Sequence, residues 1–183
     1  MVMLLRMFWA GATWRSRGSL DVLGTSRLRM RVWPNDLDMN LHMNNGRFFS
    51  AADIGRFDWW LRTGLWDRAI ARGWRPIAGD ASARFSKALQ VFEVYELQTR
   101  LLGWNEKWLF TEHRFAQGDR VVATVVVRYL FHGADGKHAP ATILALLGHN
   151  DPSPPLPGWV LAWHQAQDQL TLALKAERTV NGP

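Results

Sequence analysis

Asp38, Asn40 and His42 occupy every second position of the run Asp36-Leu37-Asp38-Met39-Asn40-Leu41-His42-Met43-Asn44-Asn45. In an extended segment such residues share one face, and a carboxylate, a carboxamide and an imidazole gathered there can do acyl chemistry. The aspartate can attack a carbonyl or activate water, the asparagine can orient, and the histidine can carry a proton near neutral pH. The backbone N–H groups of Asn45 and Gly46, which open the next element, can hold an oxyanion. The same residues also suit a plain helix cap with ordinary loop polarity, because Asp and Asn favour caps and turns. Residue types alone leave both readings open.

This run must be positioned by a strand before it and a helix after it. Ser26 to Trp33 alternates, with Leu28, Met30 and Val32 on one face and Arg27, Arg29 and Arg31 on the other, which predicts a half-buried strand stopped by Pro34. A long helix is predicted from Asn45 to Gly64, with Asn44-Asn45 as its cap and Gly64 as its stop. Phe48, Phe49, Ala52, Phe57, Trp60 and Leu61 form one apolar arc on it, and Asp53 and Arg56 fall inside that arc, which predicts a buried ion pair. A short helical turn at Trp66 to Arg72 follows. Four strands are then predicted, at Ala83 to Val91, Val94 to Leu102, Lys107 to Phe115 and Arg120 to Phe131. Gly133 to His138 reads as a loop, Pro140 to Leu147 as a short helix, Asp151 to Pro157 as a linker, and Gly158 to Glu177 as a last helix. The order is α+β: an antiparallel sheet of about five strands wrapped around one long helix, plus a C-terminal helix. The strand Arg120 to Phe131 is apolar on both faces, with Val121, Val125 and Val127 against Val122, Val126 and Leu130. Its second face should therefore meet another subunit or the last helix around Trp159 and Trp163.

At 183 residues the chain suits one domain with extensions: an apolar arm at 1–24, the main domain at 25–150, and linker with helix at 151–183. Hydrophobic residues make up 48% and charged residues 21%, enough for a full core. Cysteine is absent, which excludes disulfide scaffolds, thiol nucleophiles and thiolate zinc sites, and suits a reducing, cytoplasmic setting. Lys+Arg 22 against Asp+Glu 16 gives +6 and points to an anionic partner. The opening run Met1 to Trp14 is interrupted by Arg6 and followed by Arg15 and Arg17. It reads as an arm packed on the domain or a second subunit. The alternative is a weak interfacial membrane contact through Leu4, Leu5, Phe8 and Trp9.

The run WPNDLDMNLHMNNGRFF, the following Asp53-x-x-Arg56 and the stretch FEVYELQTRLLGWNEK from Phe92 to Lys107 resemble hot-dog-fold thioesterases. That superfamily includes 4-hydroxybenzoyl-CoA thioesterase, the plant acyl-ACP thioesterases and small proteins carrying DLDxxxHMNN. The resemblance covers about Arg27 to Leu170. It implies a homodimer or homotetramer with sites at the interface, and hydrolysis of an acyl-CoA or acyl carrier protein thioester. The nucleophile or general base of these enzymes falls on Asp38, and the asparagine and histidine of the plant-type set fall on Asn40 and His42. An acyl tunnel along the helix would then be lined by Phe48, Phe49, Phe57 and Trp60. Two positions depart from the pattern: the usual glycine before the histidine is Leu41, and Ser86 or Lys87 stands near the place of the plant-type glutamate.

No cofactor is implied. His132, His138 and His149 lack metal-ligand spacing, and the Gly133 to Gly136 stretch lacks the Ser/Thr of a phosphate loop. The basic residues are scattered and carry no nucleic-acid motif, so no nucleic-acid partner is expected. A hot-dog hydratase would carry a proline and one more residue before the histidine. A non-catalytic acyl-binding or scaffolding dimer is the alternative from another class.

Overall fold

Alternation in Ser26–Arg31 produces the strand it predicts. Ser26, Leu28 and Met30 are buried and the three arginines between them point outward. In this computed structural model, which describes residues 2–181, that strand is β1. It is followed by α2 (Asn45–Thr63), α3 (Leu65–Ile70), β2 (Arg75–Phe85), β3 (Val94–Trp104), β4 (Leu109–Gln117), β5 (Arg120–Gly133) and β6 (Gly136–His138). The first helix, α1, spans Val2–Thr13, and α4 (Pro140–Ala145) and α5 (Gly158–Asn181) end the chain. Met1 of the arm and residues 182–183 of the last segment lie outside the described residues. The sheet is antiparallel in the order β1-β3-β4-β5-β2, with β6 folded onto β5 as a hairpin.

Helix α2 lies on one face of this sheet. Asn44 caps it, its side chain accepting from the Gly46 N–H at 2.8 Å, and Gly64 ends it in the left-handed conformation at φ 75°. Gly55 sets the closeness of the packing, because a Cβ there would stand 2.2 Å from Thr99 Oγ1. Two apolar clusters fill the space between helix and sheet, one around Phe48, Ile54, Leu97 and Phe115, the other around Trp59, Trp60, Leu109 and Tyr129. A third cluster lies on the opposite face of the sheet. There Val126 and Leu130 meet Val160 and Trp163 of α5, so the last helix covers the second face of β5.

Several boundaries move. The first strand after α2 is Arg75–Phe85 and not Ala83 to Val91. Pro76 and Gly79 hide it in the sequence, yet an edge strand tolerates both. Gly79 lies at the register shift between Ala78 and Asp80, and a Cβ there would strike the Trp108 ring at 2.4 Å. Beyond it the chain leaves the sheet, with the Ser86 and Lys87 N–H groups both directed at the Val122 carbonyl. Gly136–His138 is a strand, not a loop. A register shift opposite Phe115 and Ala116 turns Val122 into the core and leaves Val121 exposed, so those two exchange their expected faces.

The charge buried on α2 is Asp58. It accepts from Arg17 Nη2 and Ser26 Oγ, both at 2.5 Å, with Arg62 Nη1 at 3.7 Å. Asp53 and Arg56 do pair, but they are not buried together: Asp53 is 57% exposed and Arg56 11%. The arc is displaced accordingly, and Ala51, Ile54, Gly55, Asp58 and Trp59 form the most enclosed line of the helix.

Candidate active site

The run from Leu37 to Met43 folds back on itself. Leu37 bridges Met43, the Asp38 N–H donates to the His42 carbonyl at 2.9 Å, and the Leu41 N–H donates to the Asp38 carbonyl at 3.1 Å. Asp38 and His42 therefore stand opposite each other on a tight hairpin, where facing residues share a side. Asn40 does not join them. It sits exposed at the tip, and its N–H is spent on Asp38 Oδ1 at 2.9 Å. An extended segment would have brought three side chains together; the turn brings two. Leu41 makes that turn at φ 58°, a left-handed conformation that favours glycine.

The base of the hairpin is anchored by Asp36. Its buried carboxylate accepts from Arg6 Nη2 at 2.5 Å, Arg6 Nη1 at 3.1 Å and the Trp33 N–H at 2.9 Å. Its carbonyl takes the Asn44 N–H at 2.8 Å. The other flank leans on the loop before β3, with Met43 N–H on the Leu89 carbonyl at 2.8 Å and His42 bridged to Gln90. Asp38 Oδ2 accepts no hydrogen bond among the described residues. One carboxylate oxygen is thus fixed by the turn and the other is free of protein donors, on the residue paired through its backbone with His42.

The expected oxyanion donors are only half supplied. The Gly46 N–H is taken by the Asn44 cap, whereas Asn45 opens the helix, where an N–H has no intrahelical acceptor. Lys87 donates to Gln117 and Ser86 to the β5 backbone, so neither stands in for a carboxylate. The aromatic residues of α2 are packing residues in this chain. Phe48 lies edge-on to Phe85 and Phe115, Trp60 stacks on Trp66 and donates to the Tyr129 hydroxyl, and Phe57 packs on Trp66. Together with half-buried Phe49 they line none of three open clefts of about 560, 550 and 380 Å³.

A second polar cluster lies between α2 and the sheet. His113 is fully buried between Thr99 Oγ1 at 2.9 Å and Thr111 Oγ1 at 3.4 Å; burial, and then the nearby Arg56 charge, hold its imidazole well below its usual pKa. Burial pushes the Tyr129 hydroxyl up to about 12. Arg56 lies over the Trp60 and Tyr129 rings, with Nη1 buried and unpartnered among the described residues. Asp36 and Asp58 escape a sequence reading because Arg6 and Arg17 lie 30 and 41 residues away from them.

A family model described as the thioesterase-like superfamily matches residues 32–164. Protein THEM6 of Xenopus laevis is 30% identical over 152 residues, which cover 82% of this chain and 72% of that protein. Protein THEM6 of Danio rerio is 33% identical over 108 residues, or 58% of this chain and 54% of its own length. The solved structure of the DHNA-CoA thioesterase from Staphylococcus aureus superposes with a TM-score of 0.58 at 11% identity, covering 84% of this chain and 95% of that one. That last likeness is one of fold.

Proposed function

The chain belongs to the thioesterase-like superfamily and has its hot-dog architecture, and on that premise we propose that it hydrolyses an acyl thioester at the Asp38–His42 hairpin. The observation that carries this reading is the hairpin directly preceding α2, in which the Asp38 N–H donates to the His42 carbonyl and Asp38 Oδ2 accepts no hydrogen bond among the described residues. Asp38 takes a proton from water, the hydroxide adds to the thioester carbon, and the developing oxyanion is met by the Asn45 N–H and the helix end. Collapse breaks the C–S bond. The proton taken up by Asp38 passes through His42 to the departing thiolate, giving a carboxylic acid and a thiol and restoring both side chains. Direct attack by Asp38 would instead expel the thiolate and form an anhydride that water then opens, leaving the solvent oxygen in the aspartate when water adds to Asp38 Cγ and in the product acid when it adds to the acyl carbon. The thiol is assigned to coenzyme A or an acyl carrier protein, whose phosphates and acidic surface suit a chain of +6.

Leu41 in the glycine position and the lack of a plant-type glutamate favour one competitor, an acyl-CoA binder without turnover. A screen of acyl-CoA and acyl carrier protein thioesters across chain lengths, followed by free-thiol release, tests both. Release of thiol from at least one class supports hydrolysis. Tight binding without release in every class would replace it with the binder.

A further inference from the structure

Helix α1 is apolar on more than the face it buries. Met3, Met7 and Ala10 turn toward the core, yet Leu4, Leu5 and Phe8 are 72%, 60% and 75% exposed, with Trp9 beside them. Of its 12 residues only Arg6 and Thr13 are polar, and Arg6 points inward to Asp36. A helix apolar all round calls for cover on both sides. The helix is also held in place, because Arg6 is tied to Asp36, and Arg17, just beyond it, to Asp58 and the Ala10 carbonyl. The exposed ridge is thus a fixed surface of the molecule.

Its rim is basic and aromatic. Arg29 and Arg31 project from the adjoining edge of β1, and with Trp9 and Trp33 they line a cleft of about 380 Å³. Trp33 is exposed and meets exposed Phe92 edge-on, while Arg15 follows the ridge at its other end. The chain holds no carboxylate before Asp21. Of the nearby acids, Asp36 is buried under Arg6, Glu96 is paired with Arg27, and Glu93 accepts the Gln90 N–H at 2.8 Å. An apolar ridge bearing Leu, Phe and Trp, rimmed by unneutralised arginines, complements an anionic lipid surface. It does not complement a second copy of itself, since a two-fold contact would set arginine against arginine. We propose that α1 docks in the plane of an anionic phospholipid bilayer, with Leu4, Leu5 and Phe8 in the acyl boundary and Arg15, Arg29 and Arg31 at the headgroups. No helix among the described residues is long and apolar enough to cross a membrane. The docking stands independently of the hydrolase reading, although the Arg6–Asp36 pair would bring the Asp38 hairpin close to the lipid.

Co-sedimentation of the full chain with vesicles of phosphatidylglycerol and phosphatidylcholine, and with vesicles of phosphatidylcholine alone, tests the docking. The wild type should pellet with the mixed vesicles and far less with the neutral ones. Leu5→Gln with Phe8→Gln changes only exposed side chains, keeps the melting temperature, and should weaken binding at least ~10-fold. Arg29→Gln with Arg31→Gln should reduce binding of the mixed vesicles toward the neutral level. A wild type that stays in the supernatant, or a Leu5/Phe8 double variant that binds as well as wild type, overturns the proposal. Equal binding to both vesicle types overturns the anionic assignment. If the wild type ignores vesicles and the Leu5/Phe8 double variant lowers its mass in solution, the ridge belongs to a protein interface instead.

Discussion

Asp38 and Asp36 differ by two positions in sequence and entirely in environment. Asp36 is buried beneath Arg6, and Asp38 has one oxygen held by the Asn40 N–H and the other without a hydrogen bond among the described residues. If Asp38 is the base, Asp38→Asn should cut thioester turnover by at least ~10²-fold while leaving acyl-CoA affinity and melting temperature nearly unchanged. Wild-type turnover in that variant would remove Asp38 from the mechanism. Leu41 gives a second test at this scale. A non-glycine residue at φ 58° costs about 1–2 kcal/mol, and glycine recovers it less the ~0.5–1 kcal/mol of added unfolded-chain entropy. Leu41→Gly should accordingly hold or raise stability by up to about 1.5 kcal/mol in denaturant unfolding. A loss above that would mean the exposed leucine has a contact of its own.

At the scale of elements, charges that tie helices down separate from charges that decorate them. Asp58 is enclosed by Arg17, Arg62 and Ser26 and fastens α2 to the arm and to β1. Asp58→Asn should cost about 3–5 kcal/mol, since it leaves buried cations unpaired; Asp53→Ala, on the exposed end of its pair, should cost under about 1 kcal/mol. Equal losses would contradict this assignment of the buried face. Helix α5 is fastened by Arg128, which donates to Asp80 at 2.5 Å, Asp168 at 2.7 Å and His164 Nδ1 at 2.5 Å beneath the Trp108 ring. Because a guanidinium only donates, His164 must accept there as neutral imidazole. Burial holds its pKa down, reinforced by Arg128 and Lys107 and opposed by Asp168 and Asp80. His113 is depressed in the same direction. A histidine depressed in the fold contributes nothing adverse above about pH 6.5 and loses stability below it, where the unfolded chain takes up the proton first. Melting temperature should fall between pH 7 and pH 5, and His164→Gln should flatten part of that fall. For Asp168, burial would raise the pKa, but the Arg128 hydrogen bond and the Arg128 and Lys107 charges bring it below its usual value, so its contribution persists until stronger acid.

At the scale of the molecule, β2 forms one edge of the sheet and exposes Ile77 and Phe85 along it. An unpaired edge of this length invites another strand, and pairing of a second copy there is the expectation to test. Helix α5 already covers Val126 and Leu130 on the outer face, which removes that face as the main reason to assemble. Light scattering should return twice the 20.9 kDa chain mass or a larger multiple, and specific activity should fall on dilution through the dissociation range. A monomer that keeps full specific activity would confine the site to a single chain.

Local chemistry determined β1, the capped span of α2, the turns of the β3–β4–β5 meander and the polar hairpin as the place to look, because alternation, caps and tight turns act through neighbouring residues. The family resemblance was likewise legible, since its motif is continuous from Trp33 to Phe49. The tertiary structure alone decided which carboxylates are structural, because Asp36 and Asp58 are defined by arginines 30 and 41 positions away. It also decided that Asn40 leaves the Asp38–His42 pair, that the aromatic face of α2 is filled with packing, and that β2 begins at Arg75. Each of these depends on what the chain meets across space: a turn closed by Leu41, rings arriving from β5 and α3, and an edge strand that tolerates Pro76 and Gly79 because one of its sides carries no partner.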